Sequence, residues 1–382
     1  VLTAAAWFGN ILSYGTTGRV ARQHGAGAHA DAVAEGVQAS WLALALGVAI
    51  LLAAQLLAGP LTRTLAGSPE VAGAAARWLR IAALGAPGLL LAAAGNGWLR
   101  GVQDTRRPMW YTLGANLLSA ALCPLLVYGA GLGLAGSAIA NTTAQTLSGA
   151  LFLRALLAER IPLRPRAALI RKQLALGRDM MLRGAAFQAC FLSATAVAAR
   201  VGPAALAAHQ IALQLWMFCS LALDALAIAA QVLTAAALGG QRPTDARALV
   251  RLTGRIGLAC GAGFALLLLA GAPLLPRLFS TDPQVYAQTM TAWPWFVGML
   301  PVVGSAFALE GVLLGSGDIG YLRNLSIAAA LGGFLPAIWT TYALHLGLGG
   351  IWAGLTLFVT IRLAALLHRL RTDRWMLIDA IP

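Results

Sequence analysis

Two carboxylates in this sequence stand where carboxylates are rare. Asp224 lies in LDALAIAA and Glu310 in ALEGVLLG, each inside a long apolar run. Asp224 is about 14 residues from the end of its run at Leu238, roughly 20 Å along a helix rising 1.5 Å per residue. A bare charge at that depth costs at least ~2.5 kcal/mol on insertion scales, so the group must be paired, protonated or turned towards a protein interior. The chemistry open to it is reversible binding of a proton or cation. The structural alternative is a hydrogen bond between helices. Glu310 sits about a turn and a half inside its run, where it is either a proton-accepting carboxylate or an interfacial one.

Arg183 follows Asp179 by four residues, the spacing of a helical pair worth about 0.2–0.5 kcal/mol when exposed. That local pair is the first reading; the other is that Arg183 reaches inward and neutralises a buried carboxylate. Asn141, Thr142 and Gln145 share an apolar run, with Asn141 and Gln145 on one helical face, and Asn116 and Ser119 lie in the run before it. Such side chains either bind a cation or organic substrate or tie helices together. Cys123, Cys190, Cys219 and Cys260 all fall in apolar runs without CxxC or His spacing, which predicts neither a disulfide framework nor a metal site. GLGLAG at 131–136 matches a dinucleotide fingerprint in letters only, because it joins two apolar runs and follows no strand. No Ser-His-Asp, HExxH or P-loop pattern is present, so the chain does not read as an enzyme and no cofactor is expected.

The elements that must position these residues are set by composition. With 59% hydrophobic and 10% charged residues and a mean hydropathy of +0.76, the chain belongs in a lipid bilayer. Runs long enough to cross a hydrocarbon core of about 30 Å lie near residues 1–15, 37–60, 78–100, 109–129, 132–153, 180–201, 204–238, 256–275, 286–315, 319–344 and 348–367. None alternates with the period of two that a membrane barrel needs. The expected class is all-α and polytopic.

The formal charge of +14 poses the question of nucleic acid, and its distribution answers against it. All but five of the 27 Lys and Arg fall in every second connection, at 19–22, 100–107, 154–183, 242–255, Arg323 and 362–374. The exceptions are Arg63, Arg77, Arg80, Arg200 and Arg277. The rich side is therefore cytoplasmic, the C-terminus included, with anionic lipid as the partner of the charge.

An offset of 214, which carries Gly25 onto Gly239, also pairs Pro69 with Pro283, Pro87 with Pro301, Gly97 with Gly311, Gly101 with Gly315, Asp104 with Asp318 and Tyr128 with Tyr342. Shared Gly, Pro and Asp at one offset mark an internal duplication. Both copies put their basic loops on one side, so the repeats are parallel and each holds an even number of helices. The expected division is an N-terminal lobe at 1–158, a cytoplasmic linker at 159–179 and a C-terminal lobe at 180–382. Six helices per lobe fit the second copy and five are found in the first, which predicts that a first helix precedes this sequence; the alternative is an eleven-helix protein. Glu310 has Asn96 as its repeat partner.

GTTGRVARQHGAGAHADA after the first run, GVQDTRRPMW after the third, GRDMMLRGAAFQACF, LAAHQIALQ and LDALAIAAQ together resemble the multidrug and toxic compound extrusion (MATE) family, in its DNA-damage-inducible-protein-F-like branch. The resemblance spans nearly the whole chain. It implies two six-helix lobes related by a pseudo-two-fold axis along the membrane normal, enclosing a cavity that opens alternately to either side. The implied activity is cation-coupled antiport, on H⁺ or Na⁺, that exports organic, often cationic, compounds from a monomer in the cell inner (plasma) membrane.

On that resemblance Asp224, Glu310 and Arg183 are the expected coupling residues, and Asn96, Asn116, Ser119, Cys123, Asn141, Thr142 and Gln145 the expected cavity-lining or substrate-binding set. One departure matters. Many relatives carry Asn and Asp four residues apart where this sequence has Ser119 and Cys123. A thiol is a poor ligand for a hard cation, so weight shifts from a first-lobe Na⁺ site to proton coupling in the second lobe. The rival readings are a lipid-linked-sugar flippase of the same superfamily, which calls for several inward arginines, and an inactive truncated transporter.

Overall fold

A computed structural model describes residues 2–376, so the last six residues of the expected C-terminal lobe lie outside the described residues. The described chain is helical almost throughout and divides into two compact units, Val1–Gly177 and Arg178–Pro382.

The first unit holds α1 (Leu2–Gly25), α2 (His29–Leu65), α3 (Pro69–Ala83), α4 (Ala86–Gly101), α5 (Arg106–Pro124, continued by a π-turn at Leu125–Gly129) and α6 (Gly133–Ala158). α7 (Ala167–Val201) starts in this unit and runs into the second. The stretch 159–179 is thus irregular up to Arg166 and helical from Ala167. The second unit continues with α8 (Pro203–Gly239), α9 (Pro243–Ala270), the short α10 (Leu275–Phe279) and α11 (Pro283–Ser316). It ends with α12 (Ile319–Ala329), a π-turn at Ala330–Phe334, α13 (Leu335–Ala343) and α14 (Gly347–Leu370).

Eight helices, or nine if α3 and α4 count as one bent span, are long and apolar enough to cross a membrane. α1 and α6 fall outside that group although their apolar runs suggest spans. The reason is visible in their sequences: α6 carries Asn141, Thr142, Thr143, Gln145, Thr146 and Ser148, and α1 carries Asn10, Ser13, Thr16, Thr17 and Arg19. Large apolar side chains on the outside, such as Leu56, Phe218, Leu221 and Leu267, are a liability in water and the expected covering of a span in lipid.

The duplication is visible in the packing. α4 is the central helix of the first unit and packs against α1, α2 and α6; α11 has the same place in the second and packs against α8, α9 and α14. The 214 offset maps these three pairs onto one another. It also explains the repeated glycines. A Cβ at Gly97 would sit 2.6 Å from the carbonyl oxygen of Ser13 on α1, and one at Gly311 would sit 2.8 Å from the carbonyl carbon of Ala227 on α8. Ser13 and Ala227 are themselves one offset apart. The small-xxx-small pairs Gly97/Gly101 and Gly311/Gly315 let backbones touch where side chains would hold them apart, the usual basis of helix association in lipid.

The repeated prolines are less uniform. Pro87 opens α4 after a 43° bend from α3, whereas Pro301 lies inside the continuous α11. Gly85, two residues before the first, is at φ −78°, which any residue adopts, so the glycine's freedom does not account for the break. α7 has no counterpart in the first unit among the described residues.

Candidate functional site

Three helices of the second unit meet at a buried charge cluster. α11 supplies Glu310, α7 supplies Arg183 and α14 supplies Arg362. Glu310 is 4% exposed and Arg362 only 2%. Both guanidiniums donate through Nη2 to the same carboxylate oxygen, Glu310 Oε1, Arg362 at 2.6 Å. Arg362 also lies 4.3 Å from the centroid of Phe187 and 5.6 Å from that of Phe358, and Arg183 lies 5.6 Å from Phe187. The two rings meet edge to face with centroids 5.5 Å apart, forming an aromatic wall whose faces attract the cations.

One carboxylate faces two guanidiniums here, and these are the charged groups that act on Glu310. The trio is therefore net positive while Glu310 is ionised. Nε of Arg183 and Nε of Arg362 are both buried without a hydrogen-bond partner among the described residues, so the cluster is held but not saturated. Burying such charges costs several kcal/mol per ion, and removing one partner of a buried pair typically costs 3–5 kcal/mol because the other is left bare. A proton on Glu310 would remove the negative charge that holds α7 and α14 to α11. The arrangement can thus turn one protonation into a loosening of three helices.

The geometry departs from the spacing argument at Arg183. Its side chain turns to Glu310, while Asp179, its i,i+4 neighbour, accepts from Arg178 at 3.1 Å and from Arg323 on α12 at 2.7 Å. The inward reading of Arg183 is the one observed. Charge alternation also misplaces Arg362, counting it with the basic segment 362–374 although α14 continues to Leu370 and buries the side chain. The signal was present: Arg362 interrupts the apolar run LTLFVTIRLAALL, and an ionisable residue inside a span marks a site.

The remaining expected residues are scattered. Asp224 is half-buried on α8. In the first unit, Asn96 on α4 and Asn116 on α5 return their amides to their own helices, to Ala92 O at 3.0 Å and Thr112 O at 2.9 Å. Thr142 on α6 donates to Ile81 O of α3 at 2.9 Å, which is the helix-tying role. Asn141, Gln145, Ser119 and Cys123 are half-buried. At the offset of 214, Glu310 and Arg362 fall on Asn96 and Ser148, both uncharged. The charge cluster belongs to the second unit alone.

The MatE family pattern matches residues 1–125 and 180–339, both copies of the duplication. The chain belongs to the MATE family. Among relatives, it is 32% identical over 377 residues to DNA damage-inducible protein F of Escherichia coli (strain K12), covering 94% of this chain and 80% of that protein. It is 34% identical over 313 residues to Protein DETOXIFICATION 44, chloroplastic, of Arabidopsis thaliana, covering 81% of this chain and 60% of the relative. The chain thus spans about 60% of the length of that protein and slightly less of the related DETOXIFICATION proteins 45, 43 and 42. Its fold matches a solved outward-facing multidrug resistance MATE family transporter of the MOP superfamily with a TM-score of 0.88 at 20% identity, covering 100% of this chain and 87% of that one.

Proposed function

We propose that this MATE protein is a proton-coupled antiporter that exports small organic compounds, cationic ones included, by alternating access. It would act as a monomer in the cell inner (plasma) membrane with its C-terminus in the cytoplasm. The observation that carries the reading is the cluster of Glu310, Arg183 and Arg362, because it is a buried, titratable link between three helices. Relatives named multidrug resistance protein NorM support the substrate class.

The donor set favours H⁺ over Na⁺. A sodium ion needs several oxygen ligands, and Glu310 Oε1 is already occupied by two guanidiniums. In the proposed cycle, ionised Glu310 clamps α7 and α14 against α11. A proton arriving from outside neutralises it, the clamp opens, and the helices repack into the state that releases the proton inside. Asp224 is proposed as a second proton-accepting carboxylate on α8, and the half-buried amides of α6 as substrate contacts.

The lipid-linked-sugar flippase gains one inward arginine in Arg362. Both inward guanidiniums are committed to Glu310, so antiport is preferred. The test is uptake of a fluorescent organic cation into inverted vesicles of the reconstituted chain under a proton gradient or a sodium gradient. Uptake driven by protons and lost in Glu310→Gln is expected. Uptake driven only by sodium would overturn the coupling assignment, and uptake indifferent to both gradients would overturn antiport.

A further inference from the structure

The sparse-side arginines divide into two groups. Arg200 sits over the ring of Tyr342 at 5.6 Å and Arg277 over that of Tyr286 at 5.0 Å, so each has an aromatic partner. The other three, Arg63, Arg77 and Arg80, are all exposed and line one open groove of 770 Å³ in the first unit, between the end of α2 and α3. Thr62 in its wall donates to Ala58 O at 2.7 Å and Ser68 caps α3 by accepting from Val71 N at 3.4 Å, so the guanidiniums are its anion-binding groups, and no carboxylate lines it. Glu70, close by in sequence, is not a lining residue, and none of the three guanidiniums is ion-paired among the described residues.

Each of these arginines, taken alone, has an ordinary explanation. Arg63 and Arg80 lie in the last turns of α2 and α3, where a cation complements the helix dipole. That accounts for their helical positions but not for three unpaired guanidiniums round one open space. The wall is otherwise small: Gly59, Gly67 and Gly73 would each carry a Cβ into open space. Guanidinium forks bind phosphate oxygens in pairs.

The structure assigns this cavity as a binding site for a phosphate-bearing anion, either a lipid headgroup or a soluble phosphate. It is separate from the Glu310 cluster and does not depend on the transport reading. The test reads phenylglyoxal modification of Arg63, Arg77 and Arg80 by peptide mass spectrometry, with exposed Arg106 as internal reference. The chain is held in phosphatidylcholine nanodiscs with added pyrophosphate, or in nanodiscs containing phosphatidylglycerol.

Protection of the three together, with Arg106 unchanged, is expected in at least one arm. Protection by phosphatidylglycerol alone assigns the headgroup, and protection by pyrophosphate in phosphatidylcholine assigns a soluble ligand. Affinity for the protecting anion should fall at least about tenfold in the triple variant Arg63→Gln/Arg77→Gln/Arg80→Gln. The plug variant Gly59→Leu/Gly73→Leu keeps every arginine and replaces helical glycines with a better helix former, and it should also lose protection. Protection in neither arm, or protection that survives the plug, overturns the assignment.

Discussion

Arg362, inside α14, donates to Glu310 of α11 at 2.6 Å across 52 residues of sequence, and both side chains are buried. Arg183 of α7 donates to the same oxygen. Three helices of the second unit are therefore tied through one carboxylate, and a change there should be felt in stability and in transport separately.

Replacing Glu310 with Gln removes the charge and strands the buried guanidinium of Arg362 and the half-buried one of Arg183. The expected loss of stability is about 3–5 kcal/mol, read as a fall in the thermal midpoint of the detergent-solubilised chain. Proton-driven uptake should fall to background. A Glu310→Gln variant with wild-type uptake would show that the carboxylate takes no part in coupling.

The Arg362→Met change separates the two roles. Alone it leaves Arg183 to neutralise Glu310, so a neutral trio replaces a positive one. Combined with Glu310→Gln it removes two of the three buried charges, and an apolar substitute for a buried pair is often neutral or stabilising. The double variant should therefore be more stable than Glu310→Gln alone and still fail to transport. The readouts are thermal midpoints for stability and vesicle uptake for function, with strict additivity in the midpoints speaking against a direct link.

How much of this was legible in the sequence differs between the fold and the site. Span positions follow from apolar runs because lipid forces every backbone group to bond within its own helix, and Gly97/Gly311 point to helix contact because no larger residue fits the crossing. Prolines within the spans, Pro87, Pro124, Pro301 and Pro336, mark where helices can kink, but not which site breaks: Pro87 follows a 43° bend while its repeat partner Pro301 lies inside the continuous α11. Of the two readings of Arg183 the inward one is observed, because i,i+4 spacing states which side chains are neighbours on a helix, not which partner wins once a buried carboxylate competes. Arg362 was hidden by its neighbours: a basic segment following a span draws the span's own last arginine into its count.

The polar residues of the first lobe should behave as structural ties. Thr142 donates between α6 and α3, a class of bond that averages about 0.6 kcal/mol in membranes, so Thr142→Val should shift stability slightly. Asn116 is exposed and bonds its own helix, so Asn116→Ala should be close to silent in stability. If either variant abolishes uptake while the chain stays folded, that residue contacts the transported species and the first lobe has a larger share in function.

The crossing glycines give the sharpest test of the duplication. Any Cβ at Gly311 meets the backbone of Ala227 on α8, and backbone cannot rotate away as a side chain can. Gly311→Leu should therefore force α8 and α11 apart and prevent accumulation of folded protein, with Gly97→Leu doing the same between α4 and α1. Gly298, on the same helix as Gly311, meets nothing within 4 Å. Gly298→Ala should be tolerated and gain up to about 1 kcal/mol from helix propensity. Expression and monodispersity on size-exclusion chromatography check all three. Equal tolerance at Gly97, Gly311 and Gly298 would mean that the repeated glycines do not set the helix crossings.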